Sequence, residues 1–422
     1  MSEPVALLRN RNFLWFWGGQ GASQLGAQFT ALAIPVLAVS LLGATEFEVG
    51  VLAAAQTAAF LVVGLPAGAW IDRMLKRSVM IAADLARAVA LAVIPLLWFG
   101  GALEIWHLYL IGAVIGIATV FFDVSYQSYI PLLLPGSQVS GANSRLEATS
   151  QIARIGGPGL AGALLTVVSA PVLLLADAIS YLLSAFAIWR VRDTEVLADP
   201  AERESLPREI AEGLRFVFSH ALLRRIVGTT GAGNFFGVLT ATLEAILILR
   251  ILGFSPATLG IIFAIGAVGG LLGAIATPWI TQRIGEGTAV AVSAVLLGVS
   301  TAALPLAGMF PDAALPILIA GAFLESFLVL VYNITQLTMR QRLTPPRLLG
   351  RMNASIRFVV WGVMPIASLL SGILGSTIGV LPTMWIGAAG TLLASGFVVF
   401  SPIARMKVLP TEQVADPRMP AA

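Results

Sequence analysis

Apolar runs of about twenty residues or more follow one another along almost the whole chain. They stand at 13–41, 46–70, 78–100, 104–131, 139–168, 171–191, 224–250, 256–280, 287–308, 312–338, 353–378 and 380–403. A bilayer's hydrocarbon core is crossed by about 20 apolar residues in a helix. Each run therefore predicts one spanning helix, twelve in all. The rest of the composition agrees. Only 11% of the 422 residues are charged and 58% are hydrophobic, whereas a soluble domain carries about 25% charged residues. So few charges cannot cover a water-facing surface, and the chain reads as an all-α integral membrane protein.

Several chemistries are excluded by what the chain lacks. It has no cysteine and two histidines, His107 and His220. A disulfide framework, a thiolate metal site and an H-E-x-x-H zinc site cannot be written. Its two lysines, Lys76 and Lys407, lie in no phosphate-binding loop. No cofactor and no metal are expected. The net charge of +3 does not point to nucleic acid, because the bases gather at span ends. With the N-terminus placed in the cytoplasm, Arg9, Arg11, Arg73, Lys76, Arg77, Arg190, Arg283, Arg340, Arg342, Arg351 and Arg405 all fall on the cytoplasmic side, and only Arg250 falls near an outer end. That bias orients the chain with both termini inside. The N-terminus shows no signal-peptide pattern, so the first span is read as retained.

The longest polar segment, Arg192–Glu212, divides the spans six and six. The expected organisation is a first six-helix bundle at 1–192, a cytoplasmic linker with an interfacial helix at 193–221, a second bundle at 222–404 and a tail at 405–422. The halves also repeat. At an offset of 210 residues, Leu42-Gly43 falls on Leu252-Gly253, Val49-Gly50 on Leu259-Gly260, Ala54 on Ala264 and Arg73 on Arg283, without a gap. Duplicated halves with a site between them are a transporter signature.

Between the second and third spans the chain reads GLPAGAWIDRMLKR, a tight turn with one acid and three bases. Gly68, Asp72, Arg73, Lys76 and Arg77 form the pattern G-x-x-x-D-R-x-x-K-R. In the fifth span, Ala153-Arg154-Ile155-Gly156-Gly157-Pro158-Gly159-Leu160-Ala161-Gly162 puts small residues and a proline inside a spanning helix. Both stretches resemble signatures of the major facilitator superfamily, the first with Leu75 at a usual glycine, the second with alanine at two glycine positions of the antiporter motif. The opening LLRNRNF, the run Phe121–Pro131 and LTPPRLLGRMNA are similar to the branch that includes macrolide efflux proteins and the enterobactin exporter. The resemblance implies the twelve-helix, two-bundle fold and proton-coupled efflux. It implies a latch at Asp72 that closes the cytoplasmic side, while the charges of Arg73, Lys76 and Arg77 themselves are expected to pin the loop inside and meet anionic headgroups. It also implies a rocking role for Arg154, Gly157, Pro158 and Gly162.

Charges within spans are costly and mark function. Asp84 and Arg87, three apart on one helix, are read as a structural pair. Glu325, halfway along the tenth span with no base within a turn, is the first candidate for proton coupling, followed by Asp123 and Glu244. Arg154 and Asp123 are expected to pair, because consecutive antiparallel helices are usually adjacent. Gln24, Gln28, Tyr126, Asp177, Asn234, Asn333 and Gln336 complete a sparse polar lining among apolar residues, suited to amphipathic ligands. The expected function is export of amphipathic small molecules by a monomer in a bacterial cytoplasmic membrane, coupled to proton antiport by alternating access, with lipids as surrounding partners. Two alternatives are a lipid or lysolipid translocator of the same fold and a membrane sensor that no longer transports. An enzyme is not expected, since no nucleophile–base or metal constellation can be assembled.

Overall fold

The computed structural model describes residues 7–71, 73–192, 195, 206–345 and 348–407. Among these residues twelve helical rods run up and down: α1 Arg11–Leu41, α2 in two pieces at Glu46–Val62 and Gly64–Ile71, α3 Lys76–Phe99, α4 Ile105–Leu133, α5 Gly136–Leu164, α6 Ala170–Arg190, α7 Ala221–Ile251, α8 Pro256–Ile284, α9 Glu286–Met309, α10 Pro311–Leu343, α11 Leu349–Ile378 and α12 Val380–Val399. Ten are long and apolar enough to cross a membrane uninterrupted. The other two are α2, which is broken, and α5, whose first half is polar. The break in α2 was not expected. Pro66 has no N–H to offer the Val62 carbonyl, so the helix stops at Val63 and restarts.

The end where α1 begins and α12 stops is called here the terminal end; the opposite one is the far end. The offset of 210 residues survives in the backbone. α1 and α7 both finish at the far end in a π-turn, Leu37–Leu41 and Ile246–Ile251. Leu42 N–H donates to Leu37 C=O and Leu252 N–H to Leu247 C=O; Ala44 donates to Ala38 and Phe254 to Ile248. Gly43 and Gly253 follow with φ of 66° and 68°, a left-handed conformation that only glycine adopts without strain. Thr45 and Ser255 then cap the next helix through their hydroxyls. The first-half helix α2 lies on α11 of the second half, and α5 lies on α8.

These two seams are also related by the offset. Gly50 packs on Gly372, and Gly260 packs on Gly162. A Cβ at Gly50 would come within 2.6 Å of the Gly372 Cα, and one at Gly260 within 2.6 Å of the Pro158 carbonyl oxygen. Small residues let helix backbones approach this closely. The far ends of the two halves are therefore in backbone contact.

Between the halves a helix at Leu206–Ser219 precedes α7. Val217 is fully buried against Met352 and Ile356 of α11, and Glu212 makes an ion pair with Arg351. The helix is thus fastened to the second half. Each half has its own apolar core at the terminal end, around Phe13, Phe16 and Tyr129 in one and around Leu223, Val290 and Met339 in the other.

Candidate functional site

Two adjoining cavities lie where the halves meet. The larger, about 660 Å³, is walled mainly by α7, α9, α10 and α12, and it reaches into the second half. Thr229, Asn234, Tyr332 and Asn333 line it, with Phe60 and Arg154 coming from the first half. The smaller, about 390 Å³, holds Gln28, Gln151, Arg154 and Pro158 of the first half and Glu244, Glu325 and Ser326 of the second. Arg154 and Glu325 line both. Each stands eighteen residues inside its helix from the terminal end, counted from Gly136 and back from Leu343. At 1.5 Å per residue that is about 27 Å, so the two charges share one level in the middle of the molecule. Glu244 sits nearer the far end, just before the π-turn of α7.

The local structure explains how these groups come to face the space. Gly157 presses against the Gln28 side chain, bringing α5 onto α1, and Arg154 lies one turn before it on the same helix. Gly266, Gly269 and Gly273 of α8 let α10 approach, and a Cβ at Gly273 would come within 2.9 Å of the Phe327 Cα. The Asn234 amide donates to the Val360 carbonyl at 3.2 Å, tying α7 to α11. The Thr230 and Tyr332 hydroxyls lie 2.8 Å apart. Phe60 meets Trp361 edge to face, ring centroids 4.8 Å apart, across the seam between α2 and α11. Among the described residues no group of three or more His, Asp or Glu is placed to hold a metal ion.

Of the expected site residues, Glu325, Glu244, Arg154, Gln28, Asn234 and Asn333 come together here. Others stand elsewhere. Asp123 does not pair with Arg154. It lines a separate cavity with Arg357, because α4 packs on α2 and α3 while α5 packs on α1 and α8. Asp177 is fully buried in the seam between α1 and α6, accepting from Thr30 and, at 2.8 Å, from the Ser180 hydroxyl. It lines none of the three described cavities. Tyr126 stacks between Phe16 and Phe122 in the first-half core, and Gln336 is buried on α10, outside the three described cavities. Gln24 is half-buried on α1, outside those cavities.

In the latch, Asp72 lies outside the described residues. The surroundings of Gly68 are likewise undescribed. Arg73 is exposed. Lys76 pairs with Glu195 at 3.2 Å, and Arg77 donates to the Ile188 and Trp189 carbonyls. These bases clasp the end of α6 in their own half. The sequence pattern passed over Arg250, which joins the two halves at the far end. Its guanidinium donates to the Val39 and Ala44 carbonyls, at 3.2 and 2.7 Å, and lies 4.0 Å from Glu46. Its place as the one base near an outer end was the available signal.

Paired six-helix halves, related by a repeat and enclosing charged cavities, agree with the sequence family. The family model of the Major Facilitator Superfamily matches residues 16–368. This chain belongs to that superfamily. The multidrug efflux pump Tap of Mycolicibacterium fortuitum is 25% identical, over 89% of this chain and 92% of that one. Macrolide efflux protein A of Streptococcus pyogenes is 24% identical, over 90% and 93%. Among solved structures, a bacterial homologue of the iron transporter ferroportin superposes in its inward-facing state with a TM-score of 0.75, at 17% identity over 92% of this chain and 98% of that one. In its outward-facing state the TM-score is 0.56, at 20% identity and the same coverage. The protein is thus an integral membrane member of a transporter superfamily, with efflux proteins among its relatives.

Proposed function

We propose that the protein exports amphipathic small molecules by alternating access, driven by proton antiport. The observation that carries this reading is the shared cavity, in which Glu244 and Glu325 of one half face Arg154 and Gln28 of the other. A carboxylate there serves a proton and a cationic substrate in turn, which is the requirement for exchange. Arg154 supplies a fixed positive charge on the opposite wall, so a carboxylate that has released both still has a partner across the gap. The apolar and aromatic lining, with Phe60, Tyr332 and Trp361, suits the uncharged body of such a substrate.

The terminal end, with its bases, is assigned to the cytoplasm by the positive-inside bias. Contact at the far end then makes this the inward-open state of the cycle, and the higher TM-score against the inward-facing neighbour supports that assignment. The relatives named for multidrug and macrolide efflux support export from a bacterial cytoplasmic membrane. The protein works as a monomer, as a transporter and not an enzyme.

The test is Glu325→Gln in proteoliposomes with an imposed proton gradient, using an erythromycin-type macrolide and a cationic dye as probes. The variant should insert normally, let substrate equilibrate and fail to concentrate it. Uphill transport at the wild-type rate would remove Glu325 from the coupling step.

A further inference from the structure

A third cavity, about 360 Å³, opens between α2, α4 and α11. It lies on the terminal side of the Phe60–Trp361 contact, and Phe60 borders both it and the larger central cavity. Its two charged residues come from opposite halves, Asp123 from α4 and Arg357 from α11. Asp123 stands ten residues from the terminal end of α4 at Leu133, and Arg357 eight residues from that of α11 at Leu349. Those spacings put them about 15 and 12 Å inside the helix ends. At such depth a charge is expensive and demands a partner.

Arg357 and, from α3, Arg87 lie near enough to act on the Asp123 charge, but neither closes onto it. Among the described residues, neither Asp123 nor Arg357 takes part in an ion pair. The Arg357 guanidinium instead lies over the Trp361 indole, 4.4 Å from the ring centroid. That stacking holds it against α11 and leaves the space in front of Asp123 open. Gln127 and Asn353 add polar groups around the two charges, while Val120, Val124 and Phe358 make an apolar wall. A lone arginine in such a place would suit any anionic amphipath, and a lone aspartate any cationic one. The two together, on facing walls of one amphipathic cavity, select a molecule carrying both charges.

We propose that this cavity binds a zwitterionic amphipath of the phospholipid class, its phosphate held by Arg357 and its ammonium by Asp123. The acyl portion lies along the apolar wall. The site is distinct from the Glu244–Glu325 cavity and does not rest on the efflux reading, since binding is measured without transport.

The experiment uses the full chain in an uncharged detergent, titrated with lysophosphatidylethanolamine, lysophosphatidylglycerol and glycerophosphoethanolamine, with binding read by native mass spectrometry and thermal shift. The wild type should bind the zwitterionic lysolipid about tenfold more tightly than the anionic one, the effect of one added charge-assisted contact. Asp123→Asn should reverse that preference, and Arg357→Gln should weaken both lysolipids. Asp123→Glu and Arg357→Lys, which keep the charges, should retain the wild-type order and control for folding. Equal binding of the two lysolipids, or an order unchanged in Asp123→Asn, overturns the proposal. Glycerophosphoethanolamine binding as tightly as the lysolipid overturns the lipid assignment and makes the ligand a water-soluble zwitterion.

Discussion

The guanidinium of Arg250 donates to the main-chain carbonyl of Ala44 at 2.7 Å and so fastens the far end of one half to the other. Of the acceptors, Val39 lies within the π-turn of α1 and Ala44 just after it, and Glu46 stands 4.0 Å away. The repeat places Ser40 opposite Arg250, so this clasp has no counterpart from the first half. It exists only while the far ends touch.

Arg250→Ala should therefore shift the protein toward the far-end-open state. A charge-assisted hydrogen bond contributes about 1.5–3 kcal/mol, and with the arginine about a third exposed solvent screening lowers that to on the order of 1 kcal/mol. The population ratio should move several-fold. The chain has no cysteine, so one spin label can be placed at exposed Ala102 and one at exposed Phe310, on far-end turns of opposite halves. Pulsed electron resonance should show a longer distance gaining weight in the variant. An unchanged distribution means that Arg250 does not hold the end closed.

The paired glycine contacts lead to a second expectation. Gly372→Val would place a branched side chain where even a Cβ meets the Gly50 Cα at 2.9 Å. Overpacking of this kind costs about 1–3 kcal/mol, and here it falls on the seam between halves, not inside either bundle. Transport should fall sharply while the thermal stability in detergent stays near wild type. Gly162→Val, at the position related by the offset, should behave alike. Gly156→Ala is the control, since a Cβ there meets nothing within 4 Å. Loss of folding in Gly372→Val would show that the seam is part of the fold itself.

The span order and the repeat were legible because they rest on run length and on glycine positions that backbone geometry enforces, as at Gly43 and Gly253. The rotation of each helix was not legible. When a span is apolar on every side, periodicity does not say which face looks inward. That is why Asp177, expected in the polar lining of the cavity, is found accepting from Thr30 and Ser180 in a seam. It is also why the expected Asp123–Arg154 pair does not form: sequential helices are usually neighbours, but α4 and α5 turn to different partners. Glu325 was placed correctly at mid-depth because its distance along the helix needs no knowledge of rotation. Arg357 and Trp361 were visible singly, but their meeting with Phe60 and Asp123 depends on how α11 lies against α2 and α4.

The pair Asp84–Arg87 carries the last expectation. Asp84 is fully buried and Arg87 nearly so, the arginine lying between the Phe122 and Tyr181 rings at 4.4 and 4.2 Å from their centroids. α3, α4 and α6 are thereby joined around one charge. Removing a single member of a buried pair costs about 3–5 kcal/mol, because the other charge is left without compensation, whereas replacing both with apolar groups of similar size is often neutral. Asp84→Asn should lower the unfolding temperature in detergent markedly, and the double variant Asp84→Leu with Arg87→Met should recover most of the loss. Recovery of stability with transport intact assigns the pair to holding the first half together. Recovery of stability with transport lost would instead give this buried charge a part in the cycle, since rocking of the half would then need the pair and not merely the packing that replaces it.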